Sequence, residues 1–388
     1  MDCLVNMEQV KENIEILEEW LKNAESLAHE LSANSKKHGD LSFFTISTTV
    51  KVNKERHPYL TPLRKISKGF IGGSVVFSQT QAVILGARID GIVDYILVDA
   101  EKKIGITIGS DNKTLKSFGF ELIPDKQKSR IPLEMGNLSG ACISYIKKSK
   151  YQEFKPNDIT VESVWHFLSG LFDSLSGKRI AIIGSGNIGF KLALKLVECG
   201  CHVELVRRDM MRGTLMANAI NVTKPISTLA IAHYNNNALQ ASLFCDALIG
   251  CTNGVPAINI DMIQSMSPKG IIIDVGKGSV FKEALAKAVQ SKIKIIRCDI
   301  YSALDGFIST MYSNKIVMSH KIGRREIEDG VFVVSGGYMG LLDDVVVDDY
   351  LKPSQIVGVA NGIGDFKSQL NNKNHNDCKT IKESFDDE

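Results

Sequence analysis

The sequence predicts an α/β protein with two α/β domains, the second built on a doubly wound parallel sheet. Three observations support this. A length of 388 residues is enough for two domains. Hydrophobic residues make up 44% of the chain and the net charge is only +2, as expected of a chain that buries a core. Between residues 179 and 297, short apolar runs alternate with helical patterns, which is typical of parallel strands joined by helices.

The composition also restricts the partners and the compartment. The balance of 46 Lys and Arg against 44 Asp and Glu gives no support for a nucleic-acid or anionic-membrane surface. No apolar run approaches the roughly 18 residues that cross a bilayer. Eight cysteines without a CxxC pair indicate reduced thiols and no metal site. We expect a cytoplasmic protein that binds a small-molecule substrate, with a homodimer as one option.

The first domain is predicted to cover residues 1–155. Apolar residues recur at intervals of three and four from Val10 to Leu31, as on the buried face of an amphipathic helix. Strand, helix and strand then follow in the order of a parallel unit. These elements are predicted at 43–50 and 75–77 (strands), 79–89 (helix) and 93–98 (strand). The stretch 102–150 is less regular, with short strands expected near 104–108 and 120–123.

The second domain is predicted to cover residues 156–305. A helix over 162–175, opened by Thr160, leads into six strands separated by helical patterns. The six strands are predicted at 179–183, 202–207, 229–233, 247–250, 271–275 and 293–297. Six strands spaced in this way indicate a doubly wound sheet.

The pattern changes after residue 305. Residues 306–366 contain a predicted strand at 331–334 and an apolar run at 345–347, and we expect this return segment to pack on the first domain. The tail, residues 367–388, is polar and rich in Asn and Lys, and is expected to be disordered.

A Gly-x-Gly-x-x-Gly turn follows the first strand of the second domain. Gly184 would make the tight turn, Gly186 would let a diphosphate approach the backbone, and Gly189 would let the helix pack on the strand. A Rossmann-like domain uses this turn to bind a dinucleotide. The alternatives are a turn that has lost its nucleotide, or one that binds a flavin or the adenosyl group of a methyl donor. The predicted contacts are Gly184, Ser185, Gly186, Asn187, Ile188 and Gly189.

The end of the second strand of this domain indicates which nicotinamide cofactor binds. Arg207 and Arg208 come before the first acid, Asp209. Arginine pairs with a 2′-phosphate, whereas an acid binds the ribose hydroxyls. We therefore favour NADP, with NAD as the alternative. A solvated turn would be the alternative explanation of the arginine pair.

Several segments together resemble the cofactor domain of the shikimate dehydrogenase and methylenetetrahydrofolate dehydrogenase group. They are 160–196, 245–256, 261–263 and 270–276, which include Cys-Asp-Ala-Leu-Ile-Gly-Cys-Thr-Asn-Gly and Asp-Val-Gly. In that group the loop after the fourth strand and the Asp-Val-Gly after the fifth border the nicotinamide. The resemblance thus implies cofactor contacts at Cys251, Thr252, Asn253, Val275 and Gly276.

The resemblance also implies a catalytic lysine in the first domain, but the Asn-Val-Thr-x-Pro-x-Lys motif of shikimate dehydrogenases is absent. Lys51 and Lys54 follow a predicted strand and are the nearest equivalents as proton donors, although two lysines after a strand are more often surface charges than acids. Asp158 corresponds to the stretch from which such enzymes recruit an aspartate. It is also explained as a helix cap.

Polar residues at other strand ends are further candidates. Arg297 and Asp299 follow the sixth strand, where Arg297 would hold a substrate carboxylate and Asp299 would orient a base. A local ion pair or a capped turn explains them equally well. Lys277, after the Asp-Val-Gly, would lie within reach of the nicotinamide carboxamide or the substrate.

These observations favour an NAD(P)-dependent oxidoreductase that transfers a hydride to or from a small polar substrate, an acid or an amino-acid-like compound, in a cleft between the domains. One alternative is a lyase or cyclodeaminase that retains NAD through its cycle. Another is a dinucleotide-binding redox sensor without catalytic activity. The fold alone does not decide among the three.

Overall fold

The computed structural model describes residues 7–49, 57–101, 106–108, 113–115, 137–328 and 330–385. The chain divides into two compact units, Met1–Asp305 and Gly306–Glu388. Within the described residues, the first unit contains a five-stranded sheet, a six-stranded sheet and a two-stranded ribbon. The second unit contains a four-stranded sheet.

The first sheet is parallel except for one edge. Its elements are α1 (Met7–His38), β1 (Leu41–Thr48), β2 (Tyr59–Ile66), β3 (Gly69–Val76), α2 (Gln79–Ile89), β4 (Tyr95–Asp99), β5 (Ile106–Ile108), β6 (Lys113–Leu115), α3 (Leu138–Cys142) and β7 (Lys150–Phe154). The strand order is β2-β3-β1-β4-β7, and only β2 runs antiparallel to its neighbour. The strands β5 and β6 form the separate ribbon.

Helix α1 covers one face of this sheet, as its apolar periodicity predicts. Trp20, Ala24, Ala28 and Leu31 recur along one face of α1 and are buried together with apolar side chains of the sheet and α2. The indole Nε1 of Trp20 donates to Ser74 Oγ at 2.9 Å, so the one polar atom of that ring is satisfied inside the core.

Two strands of the first sheet were not predicted, β2 and β7, and both lie at its edges. An edge strand has one row of unpaired backbone groups and more exposed side chains, so its sequence lacks the apolar run of a central strand. The β2 sequence also contains Pro62, and its register shifts between Thr61 and Arg64. Proline and bulges are typical of edge strands.

The second sheet has the predicted doubly wound topology. Its elements are α4 (Pro156–Leu171), β8 (Arg179–Ile183), α5 (Asn187–Glu198), β9 (His202–Val206), α6 (Met210–Thr223), β10 (Ala232–Asn235), α7 (Ala238–Ser242), β11 (Ala247–Gly250), α8 (Ile260–Ser265), β12 (Ile271–Asp274), α9 (Lys282–Gln290) and β13 (Lys294–Arg297). The order is β10-β9-β8-β11-β12-β13, and every pair is parallel. This arrangement confirms the predicted fold class.

Apolar cores lie on both faces of the second sheet. Along β8, Ile180 and Ile182 belong to one core, while Ala181 and Ile183 belong to the other. Strands buried on both faces are continuously apolar, which explains why they were found from the sequence.

The helix that leads into this domain begins earlier than predicted. We expected it to open at Thr160, but α4 begins at Pro156. Thr160 lies in the interior, where its hydroxyl donates to the Pro156 carbonyl oxygen at 2.8 Å. A proline in the first helical turn is favoured because its missing N–H would have no partner there.

The second unit has its own core. Its elements are α10 (Tyr301–Ile316), which begins in the first unit, a π-helical turn (Val317–Lys321), β14 (Gly323–Glu328), β15 (Val331–Ser335), β16 (Val345–Val347), β17 (Ile356–Val359) and α11 (Asn372–Glu383). The prediction of disorder from residue 367 is wrong for α11, which starts with a capping box at Asn371 and buries Ile381 in the core. Packing of residues 306–366 on the first domain stays a prediction.

In the part of the chain that the structure describes, no helix combines the length and the apolar content that a bilayer crossing requires.

Candidate functional site

The glycine turn between β8 and α5 has three positions with different steric demands. Gly184 has φ +100°, and a Cβ there would lie 2.9 Å from the Cys251 carbonyl carbon. A Cβ on Gly189 would lie 2.5 Å from the Gly184 carbonyl oxygen, whereas a Cβ on Gly186 would meet no atom within 4 Å. The first and third glycines therefore permit the turn and the helix packing, and the second leaves a space open.

The space at Gly186 suits a diphosphate. Gly186 is the N-cap of α5, a helix of 12 residues, so the positive end of the helix dipole faces this position. The side chain of Ser185 is buried, and its Oγ has no hydrogen-bond partner among the residues that the structure describes. The residues present fit a dinucleotide.

The arginines after β9 differ in their surroundings. Arg207 is half-buried, and its Nη1 donates to the carbonyl oxygen of Ser185 in the glycine turn. Arg208 is exposed. Asp209 is the N-cap of α6 and accepts from the Arg212 backbone N–H at 3.0 Å. The first acid after β9 is therefore engaged in helix capping, and the arginines remain the groups available to a ribose substituent.

The loops after β11 and β12 contact each other. Thr252 Oγ1 donates to the Val255 carbonyl oxygen at 2.6 Å and lies 2.9 Å from Ser279 Oγ. A Cβ on Gly276 would lie 1.8 Å from the Thr252 carbonyl oxygen, so only glycine permits this approach. The two loops for which the resemblance implies nicotinamide contacts are therefore in contact with each other.

Asp274, at the end of β12, holds the following turn in place. Its carboxylate accepts from the backbone N–H groups of Gly278 at 2.8 Å and Ser279 at 3.1 Å. Lys277 lies in this turn, between the end of β12 and Gly278. Its φ is +52°, a left-handed conformation that is unfavourable for lysine.

A cleft of about 450 Å³ lies within the first unit. Thr45 and Ser47 of β1 and Arg64 of β2 line it from the first sheet, and Lys277 and Arg297 line it from the second. Lys277 and Arg297 follow the carboxyl ends of β12 and β13, the edge where doubly wound sheets bind ligands. The cleft therefore lies beside the loop that begins at the end of β12.

An ion pair connects the two sheets at the cleft. Arg64 Nη1 donates to both Asp299 oxygens, at 2.8 and 2.6 Å. Burial of Asp299 tends to raise its pKa, but the hydrogen bonds from Arg64 and from the Tyr301 backbone outweigh burial and lower the pKa below its ordinary value. The Tyr301 hydroxyl donates to the Lys65 carbonyl oxygen. Asp299 is therefore paired with an arginine that is distant in the sequence, and its carboxylate also accepts from the Tyr301 backbone N–H at 3.0 Å.

Arg297 has a different environment. Its guanidinium lines the cleft and has no hydrogen-bond or ion-pair partner among the residues that the structure describes. A charged fork beside a cleft, without a protein partner, is suited to a carboxylate ligand.

Asp158 lies in the first turn of α4 and forms ion pairs with Lys155 at 2.5 Å and with Lys191. Burial tends to raise its pKa, but hydrogen bonds from the two lysines lower it. Asp158 is not a helix cap, because Lys155 occupies that position and no side chain caps the helix. It does not line the cleft, and its catalytic role stays a prediction.

Two buried thiols are Cys298, which lines the cleft, and Cys251, which follows β11. Burial raises the pKa of Cys251 and of Cys298 to about 12, so both are protonated at neutral pH. Within the described ranges, no group of three or more His, Cys, Asp or Glu side chains could hold a metal ion.

Lys51 and Lys54, the predicted proton donors, lie outside the described residues. Sequence reasoning missed Arg64 and Tyr301, because the partner of each lies on a distant segment. One sequence signal could have indicated β2. Residues 59–66 and 69–76 are separated only by Ser67 and Lys68, and Gly69 follows, which is typical of a β-hairpin.

Residues 157–304 match the family described as D-isomer specific 2-hydroxyacid dehydrogenase, NAD binding domain. No curated protein matches the chain. The match confirms the predicted NAD(P)-binding Rossmann-type domain and supports the prediction of an NAD(P)-dependent oxidoreductase.

Among solved structures, the chain is similar to dipicolinate synthase, A chain, from Bacillus subtilis, with 15% identity, a TM-score of 0.32, and coverage of 70% of this chain and 78% of that one. It is similar to a shikimate dehydrogenase in complex with NADP+, with 14% identity, a TM-score of 0.33 and coverage of 44% and 60%. A third is shikimate dehydrogenase from Aquifex aeolicus, with 17% identity, a TM-score of 0.32 and coverage of 42% and 57%.

Proposed function

We propose that the protein transfers a hydride between NADP and a small acid or amino-acid-like substrate that binds in the 450 Å³ cleft. The observation that carries this proposal is Arg297, which lines the cleft and has no hydrogen-bond or ion-pair partner in the described part of the chain. It lies at the end of β13, which pairs with β12. A carboxylate held there would fix the rest of the substrate near the loops at Thr252 and Gly276.

The cofactor would be held by the glycine turn. The backbone around Gly186 and the N-terminus of α5 would bind the diphosphate, and the loops at residues 251–253 and 275–276 would border the nicotinamide. When bound, this cofactor supplies or accepts a hydride.

The preference for NADP rests on the two arginines. Arg208 is exposed and would pair with the 2′-phosphate, while Arg207, fixed on the turn by the Ser185 carbonyl oxygen, would add a second positive charge. Asp209 caps α6, so it is already engaged when a ribose approaches.

The Arg64 and Asp299 pair would position the substrate indirectly. Because Asp299 is ionised and bound to Arg64, it holds β2 against the segment that follows β13. The Thr45 hydroxyl already donates to the Gly72 carbonyl oxygen at 3.3 Å, so Ser47, which also lines the cleft, would donate a hydrogen bond to a substrate oxygen.

The test is the absorbance of reduced nicotinamide during incubation of NADPH or NADH with a panel of small 2-oxo acids, with and without ammonium. We expect turnover of at least one acid and a preference for NADPH. Oxidation of neither cofactor by any acid would contradict the proposal. Retention of bound cofactor through purification together with conversion of a substrate, but without net oxidation, would instead favour a lyase.

A further inference from the structure

We propose that Lys277 is the catalytic residue that exchanges a proton with the substrate's carbonyl oxygen or imine nitrogen in the cleft. This inference rests on the proposed function and assigns its proton donor. Lys51 and Lys54, the proton donors predicted from the sequence, lie outside the described residues, so their role stays a separate prediction.

The first support is conformational. Lys277 has φ +52°, and its neighbours in the chain, Gly276 and Gly278, are residues that adopt such angles without strain. A left-handed conformation is strained for lysine because its Cβ comes too close to the following carbonyl oxygen. The Asp274 carboxylate holds the turn in this conformation through the N–H groups of Gly278 and Ser279. A strained residue at the wall of a cleft is typical of a functional position.

The second support is position. The turn that carries Lys277 packs on the loop after β11, since a Cβ on Gly276 would lie 1.8 Å from the Thr252 carbonyl oxygen and one on Gly278 3.2 Å from the Gly254 carbonyl oxygen. Lys277 itself lines the cleft. It therefore connects the loops proposed for the nicotinamide with the space proposed for the substrate.

The third support is elimination among the titratable side chains that line the cleft. In the described part of the chain these are Arg64, Lys277, Arg297, Cys298, Asp299 and Tyr301. Arginine does not give up its proton in proteins. The pKa of Cys298 is raised to about 12 by burial, and the pKa of Asp299 is lowered by its hydrogen bonds from Arg64 and the Tyr301 backbone.

The Tyr301 hydroxyl already donates to the Lys65 carbonyl oxygen. Lys277 is the remaining titratable side chain of the lining, and an ammonium with three donors can bind a protein group and a ligand at the same time. Its charged neighbours are Asp274 on its own turn, Asp299 after β13, and the arginines 64 and 297. The ammonium lies close enough to Cys298 and Asp299 to act electrostatically on the pKa of both.

In the reduction of a carbonyl, the carbon accepts the hydride and the electron pair of the C=O π bond moves to the oxygen. That oxygen forms a bond to a proton of the Lys277 ammonium while the N–H bond breaks and leaves its electron pair on nitrogen. The neutral amine then takes a proton from water. In the opposite direction the neutral amine removes the alcohol proton.

The first experiment needs no turnover. The full chain is incubated with NADP+, pyruvate and cyanoborohydride, which reduces an imine between a lysine and the carbonyl to a stable secondary amine, and labelled lysines are mapped by peptide mass spectrometry. We expect Lys277 to be labelled at least about tenfold faster than Lys282, an exposed lysine on α9, because Arg297 would hold the pyruvate carboxylate. We also expect the excess to be lost in Arg297→Met.

Equal labelling of Lys277 and Lys282 would overturn the inference. Because labelling requires no hydride transfer from the cofactor, this outcome is distinguishable from failure of the proposed function, in which no 2-oxo acid oxidises NADPH.

The second experiment separates proton transfer from charge alone. With any substrate that turns over, Lys277→Met should lower kcat by about 100-fold or more. Lys277→Arg keeps the charge but should recover little of kcat, whereas methylamine should partly restore Lys277→Ala. Lys282→Met is the control. Full activity of Lys277→Arg would show an electrostatic role and overturn the proposal.

Discussion

The glycine turn and the edge strand β2 contribute to the site in opposite ways. The turn is local: Gly184, Gly186 and Gly189 lie within six positions of one another and their steric roles follow from their spacing. The strand β2 contributes Arg64, whose partner Asp299 is 235 positions away. The comparison teaches that the cofactor half of this site is encoded in a short segment, while the substrate half exists only once distant segments have packed together.

The largest expected effect tests the cofactor half of the site. Gly186→Ala adds a methyl group to the space left open for the diphosphate, so NADPH affinity should fall by about 100-fold, or about 2.7 kcal/mol. Thermal stability should be unchanged, because a Cβ at this position meets no atom within 4 Å. Calorimetric titration and thermal unfolding measure the two effects. Unchanged affinity would place the cofactor elsewhere.

The next effect tests the substrate half. Arg297→Met removes a charge-assisted hydrogen bond worth about 1.5–3 kcal/mol, so KM for an acid substrate should rise roughly 10- to 100-fold with NADPH affinity unchanged. Arg179→Met is the matched control and should leave KM unchanged. Arg179 begins β8, so it lies at the amino ends of the strands, whereas Arg297 lies at a carboxyl end. An equal rise of KM in both variants would remove Arg297 from the substrate site.

Gly184→Ala sharpens the contrast within the turn. A side chain at φ +100°, with its Cβ 2.9 Å from the Cys251 carbonyl carbon, should cost about 2 kcal/mol of the free energy of unfolding. Denaturant unfolding of Gly184→Ala and Gly186→Ala, measured in parallel, gives the difference in their free energies of unfolding. Equal stability of the two variants would contradict the distinct roles assigned to the two glycines.

A smaller effect concerns the choice of cofactor. Arg208→Ala should weaken NADPH about tenfold while leaving NADH unchanged, because only NADPH carries the 2′-phosphate. Arg207→Ala should weaken both cofactors, since its guanidinium also binds the Ser185 carbonyl oxygen of the turn. Separate titrations of the two cofactors check this, and equal losses of NADPH and NADH in Arg208→Ala would argue against a preference for NADP.

The smallest effect concerns the contact between distant segments. Arg64→Met should raise the pKa of Asp299 toward its ordinary value of 3.8, which carboxyl NMR can follow. The folded-state pKa of Asp299 is lowered, so the ion pair stabilises the fold above the unfolded pKa, and this contribution is lost as pH falls through the folded value. Both side chains are about half exposed, so the gain is below about 1 kcal/mol. An unchanged pKa would contradict the pairing.

The sequence predicted the second sheet nearly strand by strand because its strands are buried on both faces and each is followed by a turn and a helix. The predicted strands 179–183 and 247–250 have the bounds that the structure shows. The third strand was placed three residues too early, at 229 instead of Ala232. Residues 229–231 are β-branched or apolar and resemble a strand, but Leu229 is 90% exposed.

The substrate half of the site was less predictable for a physical reason. Arg297 and Asp299 were found because they follow a predicted strand, but the partner of Asp299 could not be found from a local pattern. Arg64 lies in an edge strand interrupted by Pro62, and no local pattern indicates that this strand meets residue 299. The ion pair of Asp158 with Lys191 likewise depends on the packing of α4 against α5, whereas its pair with Lys155 is local.

Hydrogen exchange of the full chain, with and without saturating NADPH, tests the central claim most directly. We predict slower exchange of backbone amides at residues 184–190 and in the loops at 251–254 and 275–278, with other segments unchanged. Binding that protects a different region, or no binding at all, would contradict the assignment of the cofactor to this turn.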